Sequence, residues 1–117
     1  MNEKFEARAM LVARKHGYPM EWQDLRFGFK RAVIECSSYE DIYAVEYLFR
    51  KMKDTWVEHW ACSIGTFSGC VYIMDAADHE ELERLQKEDQ QRLEDWWTRY
   101  HFADKETRRL MACGAIQ

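Results

Sequence analysis

The segment 38–53 combines an apolar face with an aromatic face, and this combination limits how the chain can fold. A helix turns by about 100° per residue, which brings residues three and four apart onto one face. The apolar face carries Ile42, Val45, Leu48, Phe49 and Met52. The opposite face carries Tyr39, Tyr43 and Tyr47, interleaved with Glu40, Glu46 and Arg50. Such a helix either lies between two layers of its own domain or offers its aromatic face to another molecule.

Length and composition predict one globular domain over residues 1–117. The chain is 47% hydrophobic and 32% charged, which is typical of a soluble protein with a real core. Aromatic residues reach 15%, which favours either a dense core or a surface with aromatic anchors. The formal net charge of −4 argues against nucleic acid or an anionic membrane as the main partner.

The sequence also predicts a cytoplasmic protein that does not enter the membrane. Its longest uncharged apolar run, at 70–74, is far too short to span a bilayer. The first residues lack the apolar core of a signal peptide. The four cysteines are irregularly spaced, so we expect free thiols that are mostly buried, namely Cys36, Cys62, Cys70 and Cys113.

Alternation and capping patterns predict an α+β fold of order α-β-α-β-β-α-α. Helices are predicted at 3–16, 38–53, 78–101 and from 104 to Gly114, and strands at 25–34, 55–64 and 70–74. The helices should lie on a small antiparallel or mixed sheet of about three strands. Two points stay open: residues 19–24 could form a short helical turn, and the hairpin could turn either at 64–65 or over a longer loop at 65–69.

The long helix at 78–101 carries an apolar stripe with a carboxylate in its middle. The stripe consists of Leu82, Leu85, Leu93, Trp96, Trp97 and Tyr100, and Asp89 interrupts it. We predict that Leu82, Leu85, Leu93 and Trp96 are buried. The charged and amide residues around Asp89 predict a solvated middle turn. Trp97 lies nearer the edge of the stripe and is expected to be exposed, as an interface residue.

The residues that could carry chemistry do not converge. His59 and Cys62 have opposite parity in a strand, so only His59 and Cys70 could meet across the hairpin, and two ligands do not make a structural zinc site. Cys36 precedes a helix N-terminus, which would lower its pKa, but no base is placed beside it. We therefore predict no enzyme activity, no metal and no cofactor.

The pattern favours a small acidic protein that acts by binding another protein or a second copy of itself. Its predicted interface residues are Tyr39, Tyr43, Tyr47, Arg50 and Trp97. Regulators and inhibitors carried by phages and mobile elements are proteins of this kind. Basic clusters at 26–31, 50–53 and 99–109 are expected to be solvated surface. The alternative is a domain that binds a small molecule or nucleotide, with weak enzymatic activity, in a pocket lined by Trp56, Trp60 and Tyr72 with Cys36 or His59 as the polar group.

Overall fold

The computed structural model describes residues 3–114 and has an α+β fold with a four-stranded antiparallel sheet. The chain divides into two compact units, Met1–Leu82 and Glu83–Gln117. In chain order the elements are α1 (Glu3–Lys15), β1 (Glu21–Asp24), a 3-10 turn (Arg26–Gly28), β2 (Lys30–Cys36), α2 (Tyr39–Arg50), β3 (Thr55–Cys62), β4 (Ser68–Asp75), α3 (Ala76–Phe102) and α4 (Lys105–Ala112). Class and order thus agree with the sequence prediction, apart from one additional strand.

The additional strand is β1, where a short helical turn was an open alternative. It pairs antiparallel with β2, with Trp22 opposite Ala32 and Asp24 opposite Lys30. Phe27 and Gly28 have φ values of 61° and 79°, so two left-handed residues reverse the chain between the strands. This turn is the reason why β2 begins at Lys30 rather than at residue 25.

The strand order is β1-β2-β4-β3, so β1 and β3 are the two edges. The β3–β4 hairpin pairs Trp60 with Cys70 and Cys62 with Ser68. Residues 63–67 therefore form its loop, which excludes the two-residue turn at 64–65. Since β2 and β3 both run antiparallel to β4, they run parallel to each other, and α2 makes the crossover between them.

Helices α1 and α2 cover one face of the sheet, and the core of the first unit lies on that face. The fully buried members of this core are Phe5, Ala9, Ala13, Ala32, Ile34, Ile42, Val45, Phe49, Val71 and Ile73. The approach of α2 is close at Gly69, where a Cβ atom would lie 2.8 Å from Cδ1 of Ile42. A glycine in this strand thus lets the helix sit against the backbone.

Helix α2 begins where its capping residues predict. The hydroxyl of Ser38 accepts a hydrogen bond from the backbone N–H of Asp41, and the Ser37 hydroxyl donates to the Asp41 carboxylate at 2.8 Å. Glu40 and Asp41 lie in the first turn and Arg50 in the last, which matches the helix dipole at both ends. The helix consequently carries negative charge at its start and positive charge at its end.

The second unit contains most of α3 together with α4, and three of the four burial predictions for the stripe fail here. Leu93 is 51% exposed, and Leu85 and Trp96 are only half-buried. An apolar stripe shows which face of a helix packs but not how far along the helix the packing extends. In the second unit, the side chains of this stripe are only partly covered by other residues. Asp89 is partly exposed and lies 3.3 Å from Arg92, so the predicted solvated turn is confirmed.

The two helices of the second unit are joined by side-chain hydrogen bonds. Arg108 donates to the backbone carbonyls of Tyr100 and His101 at 3.0 and 2.6 Å. The Asp104 carboxylate accepts a hydrogen bond from the backbone N–H of Thr107, and this bond lowers the pKa of Asp104.

Within residues 3–114, no helix is both long enough and apolar enough to cross a membrane.

Candidate protein-binding surface

The three tyrosines of α2 are exposed. Tyr39, Tyr43 and Tyr47 have 42%, 59% and 67% of their surface accessible to solvent. On the other face of the same helix, Ile42, Val45 and Phe49 are fully buried, so the two-faced pattern read from the sequence is present in the fold. Exposed aromatic rings that adjoin one another are a common feature of binding surfaces. Their role in binding remains a prediction.

Ring contacts connect the tyrosines to the β3 side of the sheet. Tyr39 stacks on Tyr43 with a centroid distance of 6.3 Å and meets Phe67 of the β3–β4 loop edge-on at 5.0 Å. Tyr43 meets His59 of β3 edge-on at 6.3 Å. These contacts hold the rings in place at little cost in further side-chain entropy. We call Tyr39, Tyr43 and Tyr47 the tyrosine face.

Cations border the tyrosine face at the end of α2. The Lys51 ammonium lies 4.0 Å from the centroid of the Tyr47 ring, within the range of a cation–π interaction. Arg50 is largely exposed and bonds to Glu46 at 2.5 Å. Counting about 100° per residue, Arg50 falls within about 40° of both Tyr39 and Tyr43.

Glu46 is a buried carboxylate that the sequence analysis placed among the surface residues. Only 6% of it is exposed, and it contacts both the Arg50 guanidinium and Nδ1 of His59. Its Oε1 atom is completely buried and has no well-aligned hydrogen-bond donor, so the close contact with His59 is its compensation. A buried carboxylate needs such partners, and Glu46 therefore fixes His59 beneath the tyrosine face.

Strand β3 is the edge of the sheet on this side, and its outer backbone groups lack a strand partner among the described residues. It is eight residues long, and its central side chains, Glu58, His59 and Trp60, are exposed. Alternation places His59 on the face that α2 covers and Trp60, which is 52% exposed, on the other face. A long edge strand of this kind can pair with a strand from another chain.

Trp97 is exposed as predicted, but it belongs to the second unit. It is 55% accessible, and its ring partners are Trp96 at 5.1 Å and Tyr100 at 5.6 Å. An open groove of about 720 Å³ in the same unit is lined by Arg92, Asp95, Trp96, Thr98, Arg99, Met111 and Gly114. This aromatic cluster forms a second surface, which shares no residue with the tyrosine face.

The pocket of the alternative hypothesis does not assemble as predicted. Trp56, Trp60 and Tyr72 share one face of the sheet, because Glu58 pairs with Tyr72 and the two tryptophans have the same parity as Glu58. Cys36 and His59 alternate to the other face, which α2 covers. The aromatic residues and the proposed polar groups are therefore separated by the sheet.

What remains on the outer face is a shallow groove of about 360 Å³ near the end of β2. Val33, Glu35, Trp60 and Cys70 line it, with Cys36 and residues 67–69 at its end. Trp56 is instead stacked on His79 of α3 at 3.8 Å. The pKa of Tyr72 is raised above its ordinary value. The main cause is a side-chain hydrogen bond with Cys70, and the second cause is burial.

Cys36 differs from its expected chemistry. We predicted that the following helix would lower its pKa, but burial, followed by the nearby Asp41 carboxylate, raises the pKa of the Cys36 thiol. A raised pKa reduces the thiolate fraction at neutral pH and thus the nucleophilicity of this residue.

All four cysteines are free thiols, as predicted. They are less buried than expected, since only Cys70 is buried, Cys36 and Cys62 are half-buried and Cys113 is exposed.

His59 and Cys70, which one register of the hairpin could have brought together, do not meet across it. Val71 lies opposite His59 in the hairpin, and Cys70 lies opposite Trp60 on the other face. Among residues 3–114, no three His, Cys, Asp or Glu side chains are grouped so that they could hold a metal ion.

Comparison with known proteins does not add a relationship: no protein family, curated protein or solved structure matches the chain significantly.

Proposed function

We propose that this chain is a cytoplasmic protein-interaction module whose docking surface combines the tyrosine face of α2 with the β3 edge. The observation that carries the proposal is the juxtaposition of three exposed tyrosines with a long edge strand, through the contacts of Tyr39 with Phe67 and of Tyr43 with His59. Main-chain groups of the edge would supply affinity, and the rings beside it would supply specificity.

The charge pattern supports a protein as the partner. The net charge of −4 disfavours a polyanion as the partner. Because no catalytic groups converge within residues 3–114, we propose that the protein regulates or inhibits its target by binding alone. An inhibitor of the type carried by phages and mobile elements would act in this way.

The first test compares two double variants of the full chain in partner capture from a lysate of the host organism. Tyr43→Ala/Tyr47→Ala removes two rings of the docking surface. Leu11→Ala/Phe102→Ala is the matched control, because it removes two exposed apolar side chains, 66% and 82% accessible, from α1 and α3. Mass spectrometry identifies the captured proteins, and thermal unfolding checks that each variant is folded.

We expect the tyrosine variant to lose the captured protein, with a binding loss of about 2 kcal/mol or more, because buried aromatic anchors dominate interface energies. The thermal midpoint should change little in both variants, since exposed side chains contribute little to folding. Capture that survives in the tyrosine variant but disappears in the control would refute the proposed surface.

A further inference from the structure

From the symmetry of the docking surface, we infer that it fits a second copy of this chain, with two β3 edges paired antiparallel and two α2 helices side by side. This inference rests on the proposed function and names the partner. It applies to the tyrosine face, Arg50 and β3, all of which belong to the first unit.

The position of α2 above the sheet favours this pairing. The helix lies closest to β3 and β4 and touches β2 least, so it sits near the free edge. Neighbouring strands are about 4.8 Å apart, and a second β3 would therefore bring a second α2 to roughly 10–15 Å from the first. This separation is close to that of packed helices and is within reach of tyrosine side chains. Both helices would lie on the same side of one continuous eight-stranded sheet.

A single twofold axis can relate both the two β3 strands and the two α2 helices. His59 contacts both Tyr43 and Glu46 of α2, so it lies beneath the middle of the helix. An axis through His59 would pair this residue with its own copy and Val57 with the copy of Ala61. The same axis passes between Tyr43 and Glu46, which places Tyr39 opposite Arg50 of the second copy.

Charges along α2 are also complementary between two copies. The helix starts with Glu40 and ends with Arg50, which lie about 80° apart around the helix, whereas Asp41 of the first turn lies on the side opposite to Arg50. In an antiparallel pair the acidic start of one helix faces the basic end of the other, and the two helix dipoles are also opposed. Arg50 can then approach both the Tyr39 ring and Glu40 of the second copy, combining a cation–π contact with an ion pair. A surface whose charges are opposite at its two ends is complementary to itself, as a twofold interface requires.

Like-charge repulsion helps to choose the register. An axis through residue 58 would place two Glu58 carboxylates opposite each other, which is unfavourable. An axis through residue 59 instead places Glu58 opposite Trp60 and Cys62 opposite Trp56, with all four side chains on the outer face. The register centred on His59 also keeps the two α2 helices aligned as described above.

The experiment combines sedimentation of the full chain over a range of concentrations with matched variants. We expect a monomer–dimer equilibrium for the natural chain. Arg50→Ala should raise the dimer dissociation constant about tenfold, because the symmetry removes its contact twice. Arg8→Ala is the control, with a change of less than about twofold, because this exposed arginine belongs to α1 and lies outside the docking surface.

A disulfide test reports the register. In a chain with Cys62 and Cys113 changed to serine, His59→Cys should cross-link two copies under mild oxidation, because paired residues at an axis have Cα atoms within disulfide range. Thr55→Cys, on the same face of the same strand but away from the axis, should not form a disulfide between two copies under the same treatment. Circular dichroism checks that the variants are folded. If the His59→Cys variant does not fold, the effect of Arg50→Ala on the dimer dissociation constant tests the inferred geometry.

Three outcomes separate this inference from the proposed function. A monomer at every concentration, with protein capture that depends on the tyrosines, would overturn the second copy and leave the proposed function intact. A dimer that neither weakens in Arg50→Ala nor cross-links through residue 59 would overturn the inferred geometry. A monomer whose protein capture is also unaffected by the tyrosine variant would overturn both.

Discussion

Strand β1 forms one edge of the sheet and has four residues, whereas β3 forms the other edge and has eight. The β1 edge carries Glu21 and Asp24, and a tight left-handed turn follows shortly after it. Short, charged edges resist pairing with other chains. The β3 edge exposes Trp60 and lies beside the tyrosine face. The β1 edge is therefore protected against association with other chains, whereas the β3 edge has the features of an association site.

The first prediction compares how much one aromatic side chain on each side of the sheet contributes to the free energy of unfolding. Phe49 of α2 is completely buried near β3, whereas Trp22 of β1 is only half-buried. Phe49→Ala should cost about 3–5 kcal/mol of the free energy of unfolding, and Trp22→Ala should cost clearly less. Denaturant titration of both variants measures the difference. A larger loss from Trp22→Ala would mean that the β1 side anchors the fold.

The second prediction tests the edges directly with the same new charge. His59→Lys keeps a hydrogen-bond donor beside Glu46 but would put two lysine charges at the proposed axis, so association should weaken by about tenfold or more. Gln23→Lys places a lysine on the exposed β1 edge and should leave association unchanged. Sedimentation of the two variants gives the answer, and equal behaviour would remove the distinction between the edges.

The third prediction uses a natural probe at the end of β3. Cys62 would lie opposite Trp56 of a second copy, so its alkylation rate should fall a few-fold as the protein concentration rises through the dimer range. Cys113 is exposed in the second unit and serves as the internal control. Mass spectrometry after brief alkylation quantifies both sites. A parallel decrease at both cysteines would point to general aggregation instead.

The sequence predicts the local features of this fold better than the non-local ones. Ser38 and Asp104 are helix caps, and their local hydrogen bonds explain why helix starts could be read from the sequence. Strand β1 was missed because four mostly polar residues show too little alternation to compete with a helical start at Pro19. Leu93 was wrongly predicted to be buried, because periodicity does not show where along a helix the packing against other residues ends.

The same limit applies to the candidate surface. The four-residue spacing of Tyr39, Tyr43 and Tyr47 is a local signal, and it correctly predicts a shared exposed face. The contact of Glu46 with His59 is not visible in the sequence, because it requires knowing that α2 lies against β3. The edge position of β3 follows from strand order, which is a property of the whole sheet.

Hydrogen exchange of the natural chain, measured at a low and a high protein concentration, tests the central claim most directly. If two copies join through β3, amides within residues 55–62 should exchange more slowly at the higher concentration, because the strand gains hydrogen-bond partners. Amides of β1, within residues 21–24, should exchange at the same rate at both concentrations. Unchanged exchange in β3, or added protection confined to β1, would contradict the account.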